Sequence, residues 1–273
     1  MNSTLPTLID RLNNPAIAHA QVIPWSSPVP SFGDPSNAVI ATLGLNPSNR
    51  EFVDDFGAEL DGANRRFHTL KSLGLNAWPD ASDSHYDLIR KSCVEYFIRN
   101  PYDGWFKRLD NIISGSNASY YGTSKISACH LDLVPYATSS KWGNLSRDQR
   151  DSLLDIAGDT LGMLIRESPI RILVLNGNSV VNLFQKLTNI RLESKIMPEW
   201  MLPRKSGLHV NGFAYKGFVK QIGGIDLPHK VLVLGYNHNI QSSFGVTKVV
   251  TNSIREWIAT TSKENLKDND QTQ

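Results

Sequence analysis

Cysteine is scarce in this chain. Its 273 residues include only Cys93 and Cys129, too few for a disulfide framework or for a four-cysteine iron–sulfur or zinc site. The scarcity favours a reducing, cytoplasmic compartment. His, Cys and Asp residues do not occur at the spacing of metal ligands, so we expect neither a metal nor another cofactor.

Charge of one sign and long apolar runs are also lacking. The chain carries 28 Lys and Arg against 26 Asp and Glu, a net charge of +2. Any phosphate-binding surface must therefore be a local patch. No apolar run approaches the roughly 18 residues that span a bilayer. The amino terminus, MNSTLPTLIDRLNN, lacks a charged start followed by an apolar stretch. These features predict a soluble protein without a membrane partner.

Three common nucleotide and hydrolase motifs are missing as well. The sequence has no GxGxxG after a strand, no GxxxxGK[ST] and no GxSxG. Dinucleotide binding, phosphate-loop NTPase activity and α/β-hydrolase chemistry therefore lose support.

Four short runs rich in Val, Ile and Leu are present, at residues 38–45, 125–134, 170–177 and 229–237. They do not alternate strictly, which is typical of strands covered on both faces. Helical patterns lie between them, so the sequence predicts an α/β fold with a four-stranded, mostly parallel sheet and helices on both faces.

One domain is expected over residues 38–261, with a small hairpin inserted within residues 190–228. Residues 1–37 are expected to form an extended arm, because prolines in residues 21–37 disfavour helix. The polar tail, residues 262–273, is expected to be disordered.

Polar side chains gather where the predicted strands end. Asn46 follows the first run, His130 and Asp132 lie in the second, Asn176 ends the third, and His238 follows the fourth. Ligands of open α/β sheets bind beyond the carboxyl ends of the strands. The sequence therefore predicts an active site at this edge of the sheet.

The order of these motifs resembles the uracil-DNA glycosylase superfamily. GLNPS (44–48) resembles its first motif in the asparagine form, and ANRRF (63–67) resembles the helix start that follows it in the mismatch-specific branch. SACHLDLVP (127–135) lies where the base-reading residue belongs. GYNHNIQSSFG (235–245) resembles the His-bearing loop, without the family's His-Pro-Ser wording.

The resemblance implies catalytic roles for two residues. Asn46 would position the attacking water, and His238 would donate to the carbonyl O2 of the departing base. The alternatives are a turn asparagine, because Asn-Pro commonly starts turns, and a loop histidine that satisfies a backbone carbonyl.

Asp132 carries the prediction about the base. A carboxylate accepts from the N4 amino group of cytosine, whereas uracil recognition uses an asparagine. Asp132 therefore favours a cytosine-type edge, unless it braces a neighbouring loop and His130 takes its place in the pocket. Strand alternation places both on one face.

The resemblance also implies contacts with the flipped base and with DNA. Phe52 or Phe56 would stack on the flipped base, unless they belong to the core. The predicted DNA contacts, which can also be ordinary solvated surface residues, are Lys141, Arg147, Gln241, Ser242, Ser243 and Phe244.

The resemblance implies a monofunctional DNA glycosylase that flips a modified pyrimidine out of duplex or single-stranded DNA, without an obligatory protein partner. Its superfamily includes prokaryotic defence enzymes that remove glucosylated hydroxymethylcytosine from phage DNA. Uracil or deaminated-base repair is the rival activity. A non-catalytic nucleic-acid-binding module and a hydrolase of free nucleosides are the alternatives from other classes.

Overall fold

One mixed sheet runs through the part of the chain that the computed structural model describes, residues 3–203, 209–241 and 246–270. Its strands are β1 (Ile40–Gly44), β2 (Ala118–Ser119), β3 (Ile126–Asp132), β4 (Ile172–Asn176), β5 (Glu193–Pro203), β6 (His209–Ile222) and β7 (Ile225–Tyr236). They lie in the order β2-β3-β1-β4-β7-β6-β5. The strands from β2 to β7 in this order pair in parallel, whereas β6 and β5 are antiparallel to their neighbours.

Helices cover both faces of the sheet. They are α1 (Thr4–Arg11), α2 (Pro15–His19), α3 (Leu70–Leu73), α4 (Asp83–Val94), α5 (Tyr96–Arg99), α6 (Asp103–Ile113), α7 (Arg147–Ala157), α8 (Thr160–Arg166), α9 (Asn178–Thr188) and α10 (Lys248–Asp270). Helices α7, α8 and α9 pack into one core cluster, and α5, α6 and α10 into the other. No helix in the described ranges combines the length and the apolar content needed to cross a bilayer.

The central strands β1 and β4 are buried at every position. Alternate residues serve opposite cores: Leu173 and Leu175 pack on one face, and Val174 packs on the other. Because both faces need apolar side chains, these strands lack the alternation of a half-exposed sheet. The four predicted strands correspond to β1, β3, β4 and β7, and the α/β class is confirmed.

The prediction of four strands is wrong, whereas the hairpin predicted within residues 190–228 is present and larger than expected. Strands β5 and β6 form a long antiparallel hairpin that extends the sheet beyond β7, and β2 extends it at the other edge, which gives seven strands. Glycines hide the strand signal here. A Cβ on Gly212 would lie 2.2 Å from the Cβ of Trp200, so the glycine makes room for the close approach of that residue.

Three boundaries differ from the sequence predictions. The predicted arm begins with α1 and α2, and the long non-helical stretch before β1 starts only after His19. The segment 63–67 is not a helix start, because a 3-10 turn at Gly62–Asn64 is followed by extended backbone at Arg65. Helix α10 continues to Asp270, where a disordered tail was expected.

Candidate functional site

A cavity of about 750 Å³ opens at the carboxyl ends of the parallel strands. Its lining comes from residues 44–51 after β1, from the end of β3, from residues 138–142, from the start of α6, from residues 176–180 after β4 and from residues 237–241 after β7. Segments far apart in the chain therefore meet at one edge of the sheet, as the sequence predicted.

Gly44 forms the floor of this cavity. A Cβ at this position would lie 2.3 Å from Asp132 Oδ1 and 2.9 Å from His130 Nε2. The strand register pairs Gly44 with Asp132 directly. A glycine is required here because its missing side chain gives space to the Asp132 carboxylate.

The Asn46 amide is fixed by two acceptors. Its Nδ2 donates to the Tyr136 carbonyl oxygen at 3.2 Å and to Thr138 Oγ1 at 3.0 Å. The Thr138 hydroxyl itself donates to the Ser140 carbonyl, so it can only accept from Asn46. This pattern assigns the amide orientation. Asn46 Oδ1 has no donor among the described residues and remains available to a water or ligand at the cavity wall.

The rest of the GLNPS loop places a carboxyl group in the cavity. Ser48 caps the 3-10 turn Asn49–Glu51 by accepting from the Arg50 N–H. Glu51, at the end of that turn, lines the cavity and is 3% exposed. Its Oε2 accepts from the Tyr96 hydroxyl at 2.8 Å. Burial raises the pKa of Glu51 to about 7, against the opposing effects of Tyr96 and Arg66.

Asp132 lies beside a chain of hydrogen-bonded side chains that begins in the core. The Tyr120 hydroxyl lies 2.6 Å from Thr42 Oγ1, which lies 2.7 Å from His130 Nδ1. His130 Nε2 lies 3.3 Å from Asp132 Oδ1. Burial raises the pKa of Tyr120 well above its usual value, so this hydroxyl remains a donor. His130 therefore has the Thr42 hydroxyl on its Nδ1 side and the Asp132 carboxylate on its Nε2 side.

His130 and Asp132 thus lie on one face of β3 and both line the cavity. His130 is 1% exposed, and its two ring nitrogens already have partners within the protein. The arrangement leaves Asp132 Oδ2 to accept from a ligand, with His130 holding the carboxylate in place.

Neither aromatic residue predicted to stack on the base lines the cavity. Phe52 is 1% exposed in the core, in edge contact with Trp25. Phe56 is 95% exposed at the tip of a turn that the Asp54 carboxylate closes. Trp105 of α6 is the half-buried aromatic in the cavity wall, with its ring centroid 5.0 Å from that of His130.

His238 also lies outside the cavity lining. It is 2% exposed, and its Nε2 lies 2.6 Å from the Trp200 carbonyl oxygen of β5. Burial lowers the pKa of His238, so the neutral ring donates from Nε2 to this carbonyl. The geometry is that of the structural alternative, a loop histidine that satisfies a backbone carbonyl, and the catalytic role of His238 stays a prediction.

Amides form the opposite rim of the cavity. Asn176 Nδ2 donates to Gln241 Oε1, and Asn176 Oδ1 accepts from the Tyr236 hydroxyl, both at 3.0 Å. Gln241 Nε2 is buried and has no hydrogen-bond partner among the described residues. Arg108 of α6 donates to the Gln241 carbonyl oxygen at 3.0 Å, which holds this loop against the aromatic wall.

The predicted DNA contacts are separated by the fold. Lys141 and Gln241 line the cavity, and Lys141 is exposed. Arg147 lies on α7 outside the lining, and its side chain is 88% exposed with Nε 3.6 Å from Asp151. Ser242, Ser243 and Phe244 fall outside the described residues.

No protein-family model matches the chain, and no curated protein sequence matches it. Within the described ranges, no group of three or more His, Cys, Asp or Glu side chains is arranged to hold a metal ion.

Two residues of the cavity lining, Glu51 and Trp105, were not predicted from the sequence. Glu51 follows GLNPS directly, and a buried carboxyl in a 3-10 turn has no periodic signal. Trp105 belongs to a helix whose apolar positions, 105, 106, 109, 112 and 113, have helical spacing. That pattern was available in the sequence and predicts α6.

Proposed function

We propose that this protein is a monofunctional DNA glycosylase that hydrolyses the N-glycosidic bond of a modified cytosine, such as glucosylated 5-hydroxymethylcytosine in phage DNA. The observation that carries the proposal is the convergence of the Asn46 amide and the Asp132 carboxylate in one cavity. The order of these two groups along the chain is that of the glycosylase superfamily that GLNPS resembles.

Asn46 acts on the water. With Nδ2 held by Tyr136 and Thr138, Oδ1 accepts a hydrogen bond from a water and aligns it with C1′ of the sugar. An amide does not remove a proton effectively, so its contribution is positioning and electrostatic stabilisation of the oxocarbenium-like transition state.

Asp132 reads the base. Its free Oδ2 accepts from the N4 amino group of cytosine, and the same oxygen would repel the O4 carbonyl of uracil. The cavity volume of about 750 Å³ lies in the range of pockets for drug-sized ligands, about 300–1,000 Å³. It therefore leaves room for a base that carries a bulky 5-substituent.

Base release measured by mass spectrometry tests the activity. Duplexes and single strands carrying cytosine, 5-hydroxymethylcytosine, its glucosylated form or uracil are incubated with the protein. We expect a free modified cytosine base, and strand scission only after alkali. Asn46→Ala should lower the release rate about 100-fold or more, as loss of a positioning or electrostatic group does in other enzymes. Asn144→Ala, an exposed asparagine outside the cavity lining, is the matched control.

Asp132→Asn tests the specificity. An amide accepts from N3–H and donates to O4 of uracil, so this variant should gain uracil release relative to modified cytosine. Release of uracil alone by the wild type would support the repair activity instead. Binding to modified DNA without release of any base would support the binding module, and cleavage of nucleosides but not polymers would support a nucleoside hydrolase.

A further inference from the structure

We propose that Glu51 is the proton donor of this site, giving its carboxyl proton to the N3–O2 edge of the cytosine base as the glycosidic bond breaks. This inference rests on the proposed function and adds a catalytic residue to it. Asp132 would then serve as the acceptor for N4 and Glu51 as the donor, so that two carboxyl groups in different protonation states read one base edge.

The geometry gives Glu51 one free oxygen in the cavity. Oε2 accepts from the Tyr96 hydroxyl, and Oε1 has no hydrogen-bond partner among the described residues. Arg66 Nε lies 3.9 Å from Glu51 Oε2, which is beyond hydrogen-bond distance. The Arg66 guanidinium donates instead to the carbonyl oxygens of Asn100 and Arg50. The carboxyl group therefore has one neutral hydrogen-bond donor, and its only cationic neighbour among the described residues, Arg66, lies at the outer limit of ion-pair distance.

The charges around Glu51 support a protonated carboxyl group. Tyr96, the nearest titratable group, is itself neutral because burial raises its pKa well above its usual value. Arg66 favours the ionised carboxylate, whereas the negative charge of Asp132 favours the protonated form. Burial outweighs both and raises the pKa of Glu51 to about 7. A group with this pKa is suited to general acid catalysis near neutral pH.

The proton balance of the reaction is complete without another reagent. The C1′–N1 bond breaks with its electron pair on the base, and the Glu51 proton moves to N3 or O2, so that the base leaves neutral. Water forms the new C1′–O bond and releases one proton to solvent. A proton from solvent then restores the Glu51 carboxyl group.

The pH profile of base release in single turnover tests this role. The wild-type rate should fall tenfold per pH unit above about pH 7, where Glu51 is ionised. Glu51→Gln cannot transfer a proton, so its rate at pH 6 should be about 100-fold lower and nearly independent of pH up to 8. Glu95→Gln, a partly exposed glutamate outside the cavity lining, should keep both the wild-type rate and profile.

A second variant separates a chemical from a structural role. The Tyr96 hydrogen bond lowers the pKa of Glu51, so Tyr96→Phe should move the decline in rate to higher pH. Carboxyl-labelled ¹³C NMR of the wild type, with the Glu51 signal assigned from Glu51→Gln, should show the same titration without any substrate. If the Glu51→Gln protein does not fold, the pH profile of the wild type and its shift in Tyr96→Phe test the inference instead.

Three results would overturn the inference. The first is a Glu51→Gln protein with the wild-type rate and pH profile. The proposed glycosylase function would then stand, and the donor role of Glu51 would fail. The second is a rate that rises with pH through 7, which makes the ionised carboxylate the active form. The third is a wild-type protein that releases no base from any substrate, in which case the proposed function fails first and the donor role falls with it.

Discussion

Gly44 determines how closely β1 approaches the Asp132 carboxylate. The space that its side chain would fill is occupied by Asp132 Oδ1, at 2.3 Å from the position of a Cβ. The two residues are register partners on hydrogen-bonded central strands, so neither backbone can move away easily.

Gly44→Ala should therefore displace the Asp132 carboxylate and lower base release about 100-fold, with a loss of about 1–3 kcal/mol in the free energy of unfolding from overpacking. Base-release kinetics and urea unfolding measure the two effects. Gly143→Ala is the control, because a Cβ at Gly143 meets no atom within 4 Å. A Gly44→Ala protein with wild-type base release would show that the Asp132 position does not govern the reaction.

Glu51 also makes a prediction about stability that does not depend on any substrate. Its pKa is about 7 in the folded protein against 4.5 as the reference value. Between these values the folded state binds more protons than the unfolded state, so stability falls as the pH rises from about 4.5 to about 7. Above pH 7 the full penalty for burying the charge is present.

Glu51→Gln removes that penalty. The free energy of unfolding of Glu51→Gln minus that of the wild type should therefore increase by about 2–3 kcal/mol from pH 5 to pH 8, given 1.36 kcal/mol per unit of pKa shift. Urea unfolding of both proteins at the two pH values provides the measurement. A difference that stays constant between pH 5 and 8 would mean that Glu51 titrates at an ordinary pKa.

His238 connects the loop after β7 to the edge strand β5 through the Trp200 carbonyl oxygen. His238→Ala leaves that buried acceptor unpaired, which should lower the free energy of unfolding by about 1–3 kcal/mol. Base release should stay within about tenfold of the wild type, because the ring does not line the cavity. Thermal unfolding and base-release kinetics of this variant measure both quantities. A loss of several hundredfold in an equally stable variant would support the catalytic role that the sequence predicted for His238.

The elements that sequence could predict are those with one dominant physical cause. Strand β4 was predicted because both of its faces are buried, which gives a continuous apolar run. Helix α7 was predicted from Ser146, which accepts from the Gln149 N–H as an N-cap serine. Strand β6 lies within the predicted hairpin, but its length was not predicted, because Gly212 and Gly217 interrupt its apolar pattern to make room for Trp200 and Leu192. These glycines are required by residues that are close in the fold but distant in sequence, so the local sequence does not explain them.

The same distinction applies to the residues of the candidate site. Asn46 and Asp132 follow from their places at strand ends, where the topology of a parallel sheet brings chain segments together. Glu51 and Trp105 depend on how a loop and a helix pack across the cavity mouth. His238 was predicted to be catalytic because its loop follows a strand, but the position of β5 decided where its ring bonds. Contacts between distant segments, rather than residue type, determined which predicted residues line the cavity.

The charge of the whole molecule limits how it could hold DNA, the substrate of the proposed function. With a net charge of +2, few lysines and arginines are available in excess, so affinity for phosphates must come from individual residues near the cavity. Lys141 lies in the cavity lining and is exposed, whereas Arg147 is outside the lining and near Asp151. Lys141→Ala should therefore reduce the slope of log K against log salt concentration by about 1, the loss of one phosphate contact.

Arg147→Ala is the matched control and should leave the slope unchanged. Fluorescence anisotropy of a labelled oligonucleotide between 50 and 200 mM salt covers the range over which released counterions change affinity strongly. An equal loss for both variants would indicate a diffuse electrostatic attraction without a defined path to the cavity. No salt dependence in the wild type would remove DNA as the substrate and leave free nucleosides, which carry no phosphates to be neutralised.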